Sequence, residues 1–442
     1  MGTLKAGFAR ADITPPLGTR VVGYYRVRHA EGVLDPLLAT AVAVNDGENT
    51  AVIMSLDNIG IDQVTVDRIR EGAAEKCGIA KEAVFVSCTH THLGPAISNT
   101  REGRDPTYVD NAISIACGVA KMALDDMKDA EMYVNSCDAP VDISFVRRFR
   151  MKDGSTATNP GWLNPEIDCP LGEPDKRVAL TYFKREGAPE IAIINFQVHP
   201  DVISGCKLSA DYPYFVRSTY EKVIPNSLCM YINGAQGDTN HINVKTPEDM
   251  LRRGYAMAEH MGRTIACTAI SLYAMAEKAE GCPVAAKEIN IEVPYNKAET
   301  AEELEQAKYI KMLYDNKRNS EIPIPKGHGD MSRVTAIAGA CRMVNLENMP
   351  DFKTLRVTGI RVGDFALVGF PGEPFTEIGR QVKAASDYKM TYISCCANGF
   401  EGYYPSASAM DEGGYEASTA RYKKGTAEKL IETGIEILKE MK

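Results

Sequence analysis

Short apolar runs alternate with amphipathic stretches along much of the chain. Residues 50–56 read TAVIMSL, an apolar run stopped by Asp57. A run this short, without polar alternation, predicts a strand buried on both faces. Residues 63–78, QVTVDRIREGAAEKCG, place apolar positions near helical spacing and end in Gly78. That pattern predicts a helix closed by a glycine cap. AVFVSCT at 83–89 predicts a second strand, and DNAISIACGVAKMALDDM at 110–127 a second helix. The order strand, helix, strand, helix points to an α/β domain.

The same unit recurs. EIAIINF at 190–196 runs into QVHPD, LCMYI at 228–232 into NGAQGDTNHIN, and FALVGF at 365–370 into PGEPFTEIG, which should open a helix. Each polar cluster follows an apolar strand, where α/β enzymes commonly carry their active groups. Local sequence fixes neither the strand order nor whether the sheet is purely parallel. Residues 298–316 predict an exposed amphipathic helix. RNSEIPIPKGHGD at 318–330 predicts a loop or lid edge, and TAEKLIETGIEILKEMK at 426–442 a final helix. Without repeats or a low-complexity linker, residues 1–442 read as one domain, with 298–332 as a candidate insertion.

Composition narrows the function classes. The 442 residues are 44% hydrophobic and 25% charged, which is ordinary for a globular chain. A formal net charge of -9 argues against a nucleic-acid or anionic-membrane partner. No 18-residue apolar run predicts a membrane span. The N-terminus lacks the apolar core of a secretory signal, so a cytoplasmic location is expected. The twelve cysteines are scattered and form no CxxC motif, which predicts reduced thiols. No GxGxxG follows the first strand, and no GxSxG appears.

The chemistry concentrates in SCTHTHLGP at 87–95. His90 and His92 are two of only seven histidines. Side chains two apart on a strand share a face, so both can reach one cleft. Imidazole is a good zinc ligand, but a hydrogen-bonded pair has the same spacing. His199 in VHPD and Glu373 in FPGEP also follow apolar strands. Whether they meet the pair is open at this level.

The order and spacing of GFARADITPPLG, SLDNIG, SCTHTHLGP, NFQVHPD, NGAQGDTN, GFPGEPFTEIGR and GGYEAST resemble the neutral/alkaline ceramidase family, almost from end to end. The resemblance implies an α/β, mixed-sheet catalytic domain. The chain is similar to the short bacterial branch, without the C-terminal β-sandwich domain of full ceramidases. It implies a catalytic Zn2+ ion held by His90, His199, Glu373 and Tyr404, the last in EGYYPS, with the adjoining Tyr403 as the alternative ligand one residue away. It leaves His92 near the metal as a proton-transfer group or a support for His90. It turns Tyr415 toward the reacting amide, as an oxyanion donor or a packing aromatic.

Asp238 could orient a ligand or substrate. Asp12, Asp35 and Asp57 read as structural carboxylates. Asn240 stands where the family pattern has serine. It cannot be a nucleophile, which favours attack by zinc-activated water over a covalent route. His241 either reaches the pocket or is a satisfied loop histidine. In VRRFRMKDGSTATNP at 146–160, Arg147, Arg148 and Arg150 could recognise an acidic or sugar-like group, or form a salt-bridged face. Arg148 carries that expectation in the candidate site.

The leading expectation is a zinc-dependent amidohydrolase acting on a small N-acyl substrate, without stable membrane insertion. The alternatives are a zinc hydrolase of an ester, lactone or polar conjugate, and a non-catalytic metal-stabilised binding protein.

Overall fold

The structure, a computed structural model, describes residues 3–98, 103–324 and 331–442. The last six residues of the 318–330 loop lie outside the described residues.

The larger sheet is built from β1 (Lys5–Asp12), β2 (Leu38–Asn45), β3 (Thr50–Leu56), β4 (Val84–Cys88), β5 (Lys128–Asp138), β6 (Arg177–Arg185), β7 (Glu190–Phe196) and β8 (Ser227–Asn233). Their order across the sheet is β8-β7-β6-β5-β1-β2-β3-β4, with the short strand Glu277–Lys278 beside β5. The pairs β3–β4 and β7–β8 are parallel and the others antiparallel, so the sheet is mixed.

The apolar runs are continuous because this sheet is buried on both faces. Val52, Met54 and Leu56 of β3 face a core shared with helices α1 (Gln63–Cys77), α2 (Pro106–Asp125), α3 (Tyr212–Val223) and α4 (Tyr255–Tyr273). Ala51 and Ile53, one residue out of phase, face the opposite core. That core is shared with a second sheet of β9 (Val284–Pro294), β10 (Phe352–Val362), β11 (Phe365–Gly369) and β12 (Met390–Ser394), in that order. Its outer face lies under α7 (Thr376–Ala384) and α8 (Thr426–Glu440), through Val357, Val368, Ile378, Leu430 and Ile437. The layers are therefore helix, sheet, sheet, helix.

Coiling of the large sheet positions the site. β4 and β8 are at opposite edges of the hydrogen-bonded order, yet their ends meet. Ser55 Oγ donates to Tyr231 O at 2.7 Å, and Asn233 Nδ2 to Thr89 O at 3.1 Å. The second sheet joins there too. Cys395 N donates to Asn233 O at 3.0 Å, and Asn398 N to Val86 O at 2.7 Å. The C-terminal ends of three parallel strand pairs thus open onto one place.

Helix ends follow local chemistry. Asp62 caps α1 by accepting from Thr65 N, and Gly78 ends it at φ 67°. Helix α2 starts four residues before the expected 110, because Asp105 caps it and Pro106 occupies its first turn. The 298–332 stretch contains α5 (Ala301–Asp315), which packs on α6 (Met331–Leu346) through Leu313 and Ile337. Tyr314 of α5 donates to Tyr25 O at 2.8 Å, tying the pair to the N-terminal loops. Among the described residues, no helix is long and apolar enough to cross a membrane.

Candidate metal centre

His90 lies two residues past the end of β4 and adopts φ 73°, a left-handed conformation rare for a residue with a side chain. Its backbone N donates to Asn58 O at 2.8 Å. Beneath it, Asp57 ends β3 in a buried two-bond pair with Arg217, at 3.0 and 2.7 Å, and accepts from Thr89 Oγ1 at 3.2 Å. Asp57 is therefore a structural carboxylate. Asp35, which accepts from Ser209 Oγ and Ala210 N, is another, and so is Asp12, which accepts from Thr14 N.

His199 enters from the loop after β7 and Glu373 from the loop after β11. Glu373 Oε2 lies 3.2 Å from His90 Nε2 and 3.1 Å from His199 Nε2. The opposite ring nitrogens are held by backbone carbonyls. His90 Nδ1 is 2.5 Å from Ile59 O, and His199 Nδ1 is 3.0 Å from Gln236 O and 3.2 Å from Thr239 O. A carbonyl only accepts, so the proton of each neutral ring sits on Nδ1 and the Nε2 lone pairs face the carboxylate. Burial, and then Arg147, push His199 down to about 3, so its ring stays neutral.

Three lone-pair atoms thus converge, with Arg147 NH1 at 3.4 Å from His199 Nε2. His90 Nε2 and Glu373 Oε2 are buried without a hydrogen-bond partner. Such an arrangement is repulsive unless a cation sits within it. The spacing fits one, since ligands about 2.05 Å from a tetrahedral zinc lie about 3.3 Å apart. The carbonyl contacts at Nδ1 are the outer support that metal-ligating histidines commonly have.

His92 completes a three-histidine cluster. Ligand atoms of His90, His92 and His199 all lie within 4.8 Å of one another, the one such group among the described residues. Among the described residues neither buried ring nitrogen of His92 has a hydrogen-bond partner, and the Asp201 carboxyl lies 4.0 Å from Nδ1. Burial, followed by His90 and His199, depresses its pKa well below the usual value. Gly23, at φ 113°, lets the N-terminal loop approach. A Cβ there would lie 2.7 Å from His92 Nδ1.

The neighbouring tyrosines diverge. Glu373 pairs in parallel with Tyr403, and Pro374 with Tyr404. Tyr403 therefore shares the face of Glu373, and Tyr404 takes the other. The Tyr403 ring stacks 6.3 Å from that of His199. Tyr404 instead donates to Pro371 O at 3.0 Å and stacks on Tyr422 in the core of the second sheet. This corrects the placement of Tyr404 at the cluster: its neighbour faces it.

The arginines divide the same way along Phe145–Met151. Arg147 is buried, donates from Nε to Glu416 at 2.6 Å and from NH2 to Gly237 O at 2.9 Å, and places NH1 3.4 Å from His199 Nε2. Burial works against its charge, but the Glu416 carboxylate holds it protonated. Arg148 points elsewhere, to Ala409 O, Glu412 and Gly413 O, under Phe375. It braces the short helices of residues 407–419, so the expectation of a pocket contact passes from Arg148 to Arg147.

A cavity of about 420 Å³ opens beside the cluster, and His92, Arg147, Asn159, Tyr403 and Tyr415 line it. Tyr415 lies 5.8 Å, ring to ring, from Tyr403, and burial keeps its phenol protonated. Asp238 accepts from Thr376 N at 2.8 Å and from its hydroxyl, fixing the turn after Glu373. Asn240 donates to Asn159 at 2.7 Å from behind the cavity wall. His241 does not line the cavity.

Burial, and then Arg253, lower His241 to about 4. Its folded-state pKa is below the unfolded value near 6.5, so the unfolded chain binds the proton first as pH falls. The stability contribution is whole above 6.5 and is lost between there and about 4, on the order of 3 kcal/mol. His241→Gln should flatten the acid limb of denaturant-measured stability in that window. An unchanged limb would count against a neutral buried His241.

Comparison with known proteins gives a fold. No family model matches the sequence, and no curated protein matches it significantly. Among solved structures, the neutral ceramidase from Pseudomonas aeruginosa matches with a TM-score of 0.76 and 15% identity, over 100% of this chain and 75% of that one. A ceramidase complexed with C2 matches with a TM-score of 0.72 and 16% identity, over 99% and 75%. The chain therefore has a mixed α/β fold resembling the ceramidase catalytic domain.

Proposed function

We propose that this protein is a zinc-dependent hydrolase that cleaves an N-acyl (amide) linkage. The observation that carries the reading is the convergence of His90 Nε2, His199 Nε2 and Glu373 Oε2 beside a cavity, the first and last of them without a hydrogen-bond partner among the described residues. The ceramidase-like fold supports the amide choice. His90, His199 and Glu373 would hold the ion, with Tyr403 as the adjoining phenol. Bound there, zinc supplies Lewis acidity toward a carbonyl and makes water a better nucleophile.

The chain's own groups do the rest. His92 offers an unprotonated ring nitrogen that takes a proton from water and returns it to the leaving nitrogen. Arg147 and Tyr415 are donors on the cavity wall, suited to a carbonyl oxygen gaining negative charge. The side chains of Asp238 and Asn240 are held by structural bonds, and neither supplies a nucleophile.

The test is a panel of soluble N-acyl compounds, esters, lactones, and short- and long-chain ceramides, with zinc-loaded and chelator-treated protein. Zinc-dependent amide cleavage is expected, with solvent oxygen in the released acid and no acylated serine on peptide mapping. A cavity of about 420 Å³ is in the lower part of the small-ligand range, about 300–1,000 Å³, so soluble amides should outrun long-chain ceramide. Cleavage of esters or lactones alone would reject the amide assignment. Full activity after metal removal would reject the zinc.

A further inference from the structure

The cavity beside the cluster carries more positive charge than the proposed chemistry uses. Arg147 is balanced by Glu416. Arg26, on the N-terminal loop, and Arg333, in the first turn of α6, also line the cavity. Among the described residues, neither forms an ion pair with a carboxylate. The Arg26 guanidinium lies 5.6 Å from the Tyr24 ring centre, and Arg333 Nε is buried with no hydrogen-bond partner among the described residues. A buried guanidinium N–H without an acceptor is costly, so an acceptor from outside the chain is the economical completion.

The lining carboxyl group does not provide it. Asp201 accepts the hydroxyl of Tyr24 and faces His92, 4.0 Å away. Arg28, behind Tyr24 at 4.2 Å from its ring centre, donates only to the carbonyls of Val22, His92 and Gly205. It adds a third cation without a carboxylate partner among the described residues. The apolar part of the lining comes from Met331, Val334 and Ile337, on the helix that carries Arg333.

We propose that Arg333 and Arg26 bind a carboxylate of the substrate, which makes the substrate class an N-acyl amino acid. The fork of a guanidinium matches a carboxylate's two oxygens. The compactness of the cavity places that carboxylate within a few bonds of an amide presented to His92 and Tyr415, as in an α-amino acid. The apolar residues accommodate its side chain. The class assignment rests on the amide-hydrolase reading; the anion site itself does not.

The experiment separates the two. N-acetyl-L-phenylalanine and its neutral C-terminal amide are titrated calorimetrically into the full-length chelator-treated chain. Hydrolysis of both is then followed with the zinc-loaded chain. The carboxylate form should bind about tenfold more tightly and show a correspondingly lower KM. Arg333→Met and, at an exposed position that folding should tolerate, Arg26→Gln should each shrink that ratio toward one. High salt should shrink it as well. Equal affinity for the two compounds, or a preference that survives both substitutions, overturns the proposal. Arginine-dependent carboxylate binding without cleavage of either compound supports the anion site and defeats the amide-hydrolase reading instead.

Discussion

Glu373→Gln should lose zinc and lower kcat/KM by more than about 100-fold. Outer partners of metal-ligating histidines are already worth about 10- to 100-fold in affinity or activity, and a ligand should exceed them. Glu373 supplies the one anionic oxygen of the convergent set, 3.2 and 3.1 Å from two neutral imidazole nitrogens. Glutamine keeps the shape and removes the charge that a dication needs. Its amide can also donate to an Nε2 lone pair, relieving the repulsion of the metal-free site. The metal-free melting temperature should therefore move little, while the increment given by added zinc should disappear. Zinc content after dialysis, zinc-dependent melting and kcat/KM check the three parts. A variant that retains one zinc per chain with unchanged affinity would place Glu373 outside the metal site.

The parts of this centre differ in how visible they were along the chain. TAVIMSL became β3 because burial on both faces leaves an uninterrupted apolar run, and Gly78 ended α1 because its left-handed φ suits glycine. His90, His199 and Glu373 stood out because each follows such a strand. Their convergence did not show, since it depends on the coil that joins the ends of β4 and β8 through Asn233 and Thr89. Adjacent residues were the hardest to separate. Arg147 and Arg148 lie side by side, and pairing decides which of them faces His199. The start of α2 at Pro106 is set by the Asp105 cap, whereas the apolar period that predicts the helix begins later. Arg26 and Arg333 are 307 positions apart in the chain, and only the packing of α6 near the N-terminal loop brings them to one cavity.

The pairing argument ends in a contrast between Tyr403→Phe and Tyr404→Phe. Tyr403 is in register with Glu373, so its phenol shares the cavity with Arg147 and Tyr415. Burial, followed by Glu373, keeps that phenol protonated and able to donate. If it contacts the metal or the developing charge, its loss should lower kcat by about 10²- to 10³-fold, the usual effect of removing one preorganised donor. Zinc content and melting temperature should report whether part of the loss comes from the metal. Tyr404 is one residue away and out of phase. Phenylalanine there removes the bond to Pro371 O inside the second sheet's core. The expected result is about 1 kcal/mol less stability, with kcat within a factor of about two. The two substitutions remove the same atom from adjacent residues, so side-chain chemistry is matched and only the direction of each ring differs. A collapse of kcat in Tyr404→Phe with wild-type behaviour in Tyr403→Phe would reverse the register, and with it the arrangement of Glu373 and Tyr403 on one face.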